Sequence, residues 1–231
     1  GKTDEKEFKA ALHETEKILP DVQKICGAAQ KIGVLPVKSV GVQGDFRTYR
    51  FPAVLYANDA ASYGDKKACI QTLEKLFGAQ SAAPSRSHEE AAWDALEKSS
   101  AAITNACASV NRTVLALYEK AGCSLHEAYC TKERLDQIRE ADAVMLDELR
   151  EAGRYGSIFQ HLTINLPYAA QSGHCALVLR PVVSEDVMTA RFAHMESAIL
   201  LAAVERILNF DFVDALYYDI TNKPPATFGW E

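Results

Sequence analysis

No run of about eighteen apolar residues occurs in this chain, so no segment is long and greasy enough to cross a bilayer as a helix. A basic excess is lacking too: 25 Lys and Arg stand against 31 Asp and Glu, a formal net charge of −6. Nucleic-acid-binding proteins carry the opposite balance, which argues against that partner, although a small anion needs only one or two local cations. None of the six cysteines (Cys26, Cys69, Cys107, Cys123, Cys130, Cys175) forms a CxxC pair. A small disulfide scaffold would be shorter and denser in cysteine, so free thiols in a reducing cytosol are expected. The first residues, Gly1 to Asp4, include neither an initiator Met nor an apolar signal region and read as a cut edge.

What is present is a globular composition: 231 residues, 48% hydrophobic and 24% charged, enough for one large or two small domains. Phe8, Leu12, Thr15 and Leu19 recur at helical spacing and predict a surface helix that stops near Pro20. Two β-prone runs, Val34 to Val42 and Tyr49 to Tyr56, flank Gln43-Gly44-Asp45 and predict a hairpin. Residues 58–90 are richer in Ala, Ser, Asp and Lys, with a short helix over Lys66 to Phe77 and a mobile loop around Pro84. A stripe from Trp93 to Val110 predicts a helix, and Thr113 to Tyr118 a strand.

The order then repeats. Leu135 to Leu149 forms a helical stripe ending at Gly153. Ile158 to Leu166 and Leu177 to Val183, with a turn at Ser172-Gly173, predict a second hairpin. Met195 to Leu208 reads as a buried helix, and Phe212 to Ile220 as a last strand before Pro224-Pro225. The expected fold is therefore α+β: two tandem copies of a helix–hairpin–helix–strand unit with small antiparallel sheets, forming a pseudo-dimer. The copies are residues 1–122, with an insertion at about 58–90, and residues 123–231. Trp93 and the 195–208 face are expected in the core, and His161 is expected to be a satisfied structural histidine. Cys123, His126 and Cys130 are of zinc-ligand type, but C-x2-H-x3-C lacks a fourth ligand and no metal site is assigned.

Three stretches are too long to be generic. They are Leu35-Pro36-Val37-Lys38-Ser39-Val40-Gly41-Val42-Gln43-Gly44-Asp45-Phe46-Arg47-Thr48-Tyr49; Arg180 followed by Asp186-Val187-Met188-Thr189-Ala190; and Tyr218-Asp219-Ile220-Thr221-Asn222-Lys223-Pro224-Pro225-Ala226-Thr227, closing on Trp230-Glu231. They resemble LPVxSVGVQGDxRTY, RxVxxxDxMTA and YDxTxKPPxTxEWE of the C-terminal domain of glutamine-hydrolysing GMP synthetases, and the doubled unit resembles the animal type. That resemblance implies a part of a carbon–nitrogen ligase that aminates xanthosine monophosphate (XMP) to GMP. The family's amidotransferase cysteine elbow and SGGxDS loop are absent here, so the fragment is expected to be inactive alone and to hold no cofactor, with no catalytic residue of its own. ATP and Mg2+ belong to the parent enzyme, whose upstream ATP-pyrophosphatase and glutamine amidotransferase domains are the expected partners, together with XMP; a second copy, in a homodimer, is a further candidate.

The resemblance carries Asp45, Arg47, Gln160 and Lys223 over as XMP contacts, with Gln43, Gly44, Tyr49, Pro224, Pro225 and Thr227 as the supporting motif. An arginine fork and a mobile lysine suit a phosphate dianion. Where the family has Glu-Trp-Glu, this chain has Gly229-Trp230-Glu231, which leaves Glu231 to supply the missing carboxylate, the contact dispensable, or binding weaker. The first copy keeps the QGDxR turn and lacks the Pro-Pro tail; the second keeps the tail and lacks the turn. One composite site across the pseudo-two-fold is therefore expected. The competing readings are a turn-stabilising Asp45–Arg47 pair, a merely solvated Lys223, and a purely structural oligomerisation module whose ligand site has decayed.

Overall fold

The computed structural model describes residues 5–27, 30–43, 46–57, 64–79 and 86–230. The elements in chain order are α1 (Glu5–Cys26), β1 (Ile32–Val34), β2 (Ser39–Gln43), β3 (Phe46–Tyr56), α2 (Lys66–Phe77), α3 (Arg86–Ala106) and β4 (Val110–Glu119). There follow β5 (Ser124–Leu125), α4 (Lys132–Glu151), β6 (Gln160–Leu166), β7 (Tyr168–Ala169), β8 (Cys175–Val183), β9 (Arg191–Phe192), α5 (Ser197–Ile207) and β10 (Val213–Asp219). The class is α+β, as the alternation of hydrophobic periods suggested.

Local chemistry accounts for several boundaries. The Asp65 carboxylate accepts from the Lys67 and Ala68 amides at 2.9 and 3.2 Å, satisfying two orphan donors at the start of α2, and Gly78 at φ +71° ends it in the left-handed region. α1 departs from expectation: it runs through Pro20 to Cys26. The carbonyl deprived of its donor belongs to Glu16, which is exposed as Pro20 is, so water can replace the lost bond. The buried stripe of α1 is Thr15, Ile18 and Val22, with Leu12 and Leu19 left exposed. Val110 opens β4 rather than closing α3, because Asn111 and Arg112 find buried partners only when the chain is extended there.

Antiparallel pairing holds within each predicted hairpin, β2 with β3 and β6 with β8. The hairpins do not remain separate small sheets, because β3 lies parallel to β4 and β8 parallel to β10. An antiparallel pair, β4 with β10, joins them, giving one eight-stranded mixed sheet in the order β1-β3-β4-β10-β8-β6, with β2 added on β3 and β9 on β8. β5 and β7 form a separate two-stranded ribbon.

All five helices among the described residues bury their apolar stripes on one face of the sheet, in a core that runs from Ile18 and Val22 through Trp93, Met145 and Leu200 to Tyr218. Trp93 is fully in that core; its indole donates to the Met195 carbonyl at 2.9 Å and its ring packs on Phe77 and Tyr218. The opposite face carries a smaller core of Val54, Val114, Ala116, Val178 and Tyr217, covered by Leu35, Tyr56, Tyr168 and Trp230.

The last eleven described residues, 220–230, leave β10 and fold back along β2. The Val42 amide donates to the Pro225 carbonyl at 2.7 Å, the Val40 amide to the Trp230 carbonyl at 2.9 Å, and Gly41 bridges Ala226. A Cβ on Gly41 would meet the Pro225 oxygen at 2.7 Å and the Asn111 Cβ at 2.9 Å. Gly41→Ala should therefore push the tail off β2 and lose about 1–3 kcal/mol in urea unfolding. Gly156→Ala, which meets nothing within 4 Å, should stay within about 0.5 kcal/mol of the parent.

Candidate functional site

The strand registers bring the start of β3, the start of β4, the end of β10, the end of β8 and the start of β6 to one end of the sheet. The sequence motifs meet at that end, and a buried charge cluster organises it. Asp219, the last residue of β10, receives Arg112 Nη1 from β4 and Arg180 Nη1 from β8, each at 2.9 Å, with all three side chains fully buried. Its remaining acceptor sites take the Trp230 indole at 2.9 Å and the Thr221 amide at 3.0 Å.

Two guanidiniums and one carboxylate leave a net positive charge under the sheet edge, and backbone carbonyls surround it. Arg112 Nη2 donates to Val40 O (2.9 Å), Thr227 Oγ1 (2.7 Å) and Gly229 O. Arg180 donates to Phe228 O and Thr227 O at 2.7 Å each and to Thr221 O at 3.1 Å. Among the described residues Arg112 Nε has no partner. Burial pushes the Arg112 guanidinium down to about 10, with Asp219 opposing the shift. Burial alone would raise Asp219, but Arg180 and Arg112 hold its carboxyl below the usual range. The planar, rigid donor fork of arginine is what lets two residues fix five separate tail and strand carbonyls at once.

With the tail so fixed, the expected contact residues can be placed. Lys223 is bridged to Ala190 through reciprocal backbone bonds of 2.7 and 3.1 Å. Its ammonium donates to the Val187 carbonyl at 2.5 Å and stands 4.4 Å from the centre of the Phe228 ring. It lines a cavity of about 790 Å³ with Phe159, Ser184, Asp186, Thr189 and Arg191 among its neighbours. Gln160 is exposed at the start of β6, beside Phe159, whose ring lies 5.5 Å from that of Phe228. Gln160 itself does not line the cavity.

Arg47 stands on the other side of the tail, exposed, paired in register with Val42. Val42 bonds the tail at Pro225, so the Arg47 and Pro225 backbones are two strand spacings apart, roughly 10 Å. Arg47 does not line the cavity. Tyr49, 63% exposed, lines a separate recess of about 400 Å³ with Lys17, Lys38 and Arg50. Gly44, Asp45 and Glu231, and the side chain of Gln43, lie outside the described residues, as does most of the loop predicted around Pro84; its end, from Arg86, belongs to α3.

Pro224 is exposed and Pro225 half-buried, the peptide bonds on both sides of Pro224 are cis, and the tail lies along β2. Thr227 is part of the clamp, donating to Val40 O at 3.0 Å. Val187, whose carbonyl receives Lys223, is the one non-glycine described residue at positive φ, +65°.

Other candidates are accounted for locally. His161 is buried, with Nε2 against Thr163 Oγ1 (3.1 Å) and Asp142 Oδ1 (3.4 Å); burial pushes it down to about 4, and its Nδ1 has no partner among the described residues. It is structural as expected, but only half satisfied. His126 contacts the Ala169 carbonyl at 3.0 Å, Cys123 the Asp214 carbonyl at 3.8 Å, and Cys130 is exposed. Asp94, Glu97 and His194 bring metal-type donor atoms within 4.8 Å of one another, with Glu97 committed to Arg191 and Asn222 at 2.6 Å each.

Residues 147–230 match the family model described as GMP synthase C terminal domain. That segment belongs to the GMP synthase C-terminal domain family. A probable glutamine-hydrolysing GMP synthase of Leptospira interrogans serovar copenhageni is 30% identical over 202 residues, 86% of this chain and 28% of the relative. Glutamine-hydrolysing GMP synthases of Mesorhizobium japonicum and Brucella ovis are 41% and 39% identical over 109 residues, the former covering 44% of this chain and 21% of the relative. The chain thus spans less than a third of the length of these relatives. The part matched by the GMP synthase C-terminal model includes Gln160, Arg180, Asp219, Lys223 and Phe228, while Arg47 and Arg112 precede it.

The sequence reading missed Arg112 as the partner of Asp219, and Phe159 and Phe228 as the walls beside Lys223. A charge inside a β-prone apolar run, Val110-Asn111-Arg112-Thr113-Val114, was the available signal for the first. Asp219→Asn would leave two buried guanidiniums without a counter-charge and should lose about 3–5 kcal/mol at neutral pH. Because Asp219 titrates lower in the folded state than in the unfolded chain, its contribution is present above about pH 4 and lost as pH falls through the folded value. Urea unfolding at pH 7 and pH 3 should therefore show the gap between parent and variant shrinking at the lower pH.

Proposed function

We propose that this chain is the C-terminal region of a glutamine-hydrolysing GMP synthase and contributes XMP binding and subdomain or subunit pairing to the parent enzyme. In that reaction ATP adenylates the XMP 2-oxygen, and ammonia from glutamine displaces AMP. The ATP-pyrophosphatase and amidotransferase chemistry, with ATP and Mg2+, belongs to upstream domains, so the chain alone is inactive. The membership of residues 147–230 supports the ligase role. The observation that carries the nucleotide reading is Lys223, lining a cavity of about 790 Å³ with Phe159, the residue before Gln160, and lying across the clamped tail from Arg47. A phosphate dianion calls for such cations, and the tail backbone links the two motifs that supply them.

The halves 1–122 and 123–231 are read as tandem copies. Each has a helix, an antiparallel hairpin, a helix and a strand parallel to the hairpin's second strand, and the copies face each other across the β4–β10 pair. Alignment of the Mesorhizobium relative over 109 residues, about one such unit, supports this. On this reading the pairing surface is satisfied inside one chain, and an outer face serves any homodimer.

A second reading, a structural oligomerisation module with a decayed ligand site, is favoured by Gly229, whose carbonyl serves the Arg112 clamp while its missing side chain offers no carboxylate. Calorimetric titration separates the two. Nucleotide binding predicts a saturable XMP isotherm, weakened about tenfold or more by Arg47→Ala or Lys223→Ala, as loss of a charge-assisted phosphate contact should do. A flat isotherm for the unaltered chain rejects it in favour of the structural module.

A further inference from the structure

Lysine is a poor fixed phosphate ligand in the abstract, because its four-carbon stem must be ordered before the charge is useful. Something at this site orders it without cancelling it. Lys223 makes no ion pair with a carboxylate among the described residues; its ammonium rests 4.4 Å from the Phe228 ring centre and on the neutral Val187 carbonyl. Two acidic residues line the same cavity: Asp186 is occupied by the Thr189 amide at 2.9 Å and hydroxyl at 3.2 Å, and Glu185 is exposed. The Phe228 ring is backed by Phe159 at 5.5 Å, and its own carbonyl is anchored by Arg180 Nε at 2.7 Å, which ties the ring to the buried charge cluster.

We propose that Phe228 is a positioning residue: its ring holds the Lys223 ammonium at the cavity rim, ordered but not neutralised, ready for the phosphate monoester of a nucleotide. A carboxylate partner would have to be displaced by the incoming anion. The negative face of an aromatic ring attracts the cation and leaves its outward N–H donors for the ligand. Phe228 occupies a position that the tail motif leaves unspecified, between Thr227 and Gly229, so this chain has placed an aromatic where the pattern does not demand one. The proposal rests on the XMP-binding reading above.

The test uses the full 231-residue chain and two substitutions that keep apolar bulk, Phe228→Leu without a ring and Phe228→Tyr with one. Thermal unfolding first verifies that both variants fold. In XMP titrations, Phe228→Leu should bind about three- to tenfold more weakly, and Phe228→Tyr like the parent, the range expected for loss of a cation–π contact. In NMR spectra without ligand, the Lys223 ε-protons should be shifted upfield by ring current in the parent and in Phe228→Tyr, and not in Phe228→Leu. Equal XMP affinity in parent and Phe228→Leu, or unshifted ε-protons in the parent, overturns the positioning role and leaves XMP binding standing. No XMP binding by the unaltered chain, whatever the ε-proton shift, overturns the proposed function and this inference with it.

Discussion

A single carboxylate, Asp219, lies between two arginines from the strands on either side, with no solvent reaching any of the three. Stripping three charges of water is costly, and a buried ion cluster is weak grounds for claiming net stability over an apolar alternative. It is a strong constraint on conformation. Each guanidinium has more donors than Asp219 can accept, and the surplus must find oxygens. The oxygens in reach belong to Val40 on β2 and to Thr221, Thr227, Phe228 and Gly229 on the tail. The cluster therefore dictates where the last residues run. It joins β4, β8 and β10 at the centre of the sheet to a segment that would otherwise be a frayed terminus.

Seen this way, the residues of the tail motif divide by what they touch. Asp219, Thr221, Thr227 and Trp230 face inward and build the clamp, and Ala226 meets Gly41, where only a glycine leaves room. Lys223 lines the cavity, with the Phe228 ring against its ammonium. A rigid backbone beneath two outward groups is the arrangement a binding site needs, because positional precision comes from the supporting contacts rather than from the contacting side chains. The same clamp ties the β2–β3 hairpin to the segment that follows β10: their backbones are hydrogen-bonded to each other.

Much of this was legible in sequence where the determinants are local. The span Lys66 to Phe77 of α2, whose ends the structure caps with Asp65 and Gly78, was read correctly, as were both hairpins from β-prone runs around turn residues and the 195–208 helix from its apolar faces. The parallel pairs were not legible, since nothing in β3 or β8 alone announces which distant strand will lie beside it. Nor was the continuation of α1 past Pro20, which depends on Glu16 facing water. Arg47, Gln160 and Lys223 were singled out by motif as expected contacts; all three fall at one end of the sheet, and Lys223 alone of them lines the cavity. Arg112 was passed over although its charge interrupts a β-prone run, because the carboxylate it pairs with, Asp219, is 107 residues away. The tail's course along β2 escaped for the same reason: its partners are carbonyls, which carry no sequence signature.

The central claim, that the buried charge cluster holds the tail on β2, is tested most directly by amide hydrogen exchange in Arg112→Leu. The Val40 and Val42 amides, which donate to tail carbonyls, should lose protection selectively, while Val54 and Leu115 in the adjoining β3–β4 pair keep theirs. Undiminished protection at Val40 and Val42 would contradict the account, since the tail would then be held by something other than the arginines.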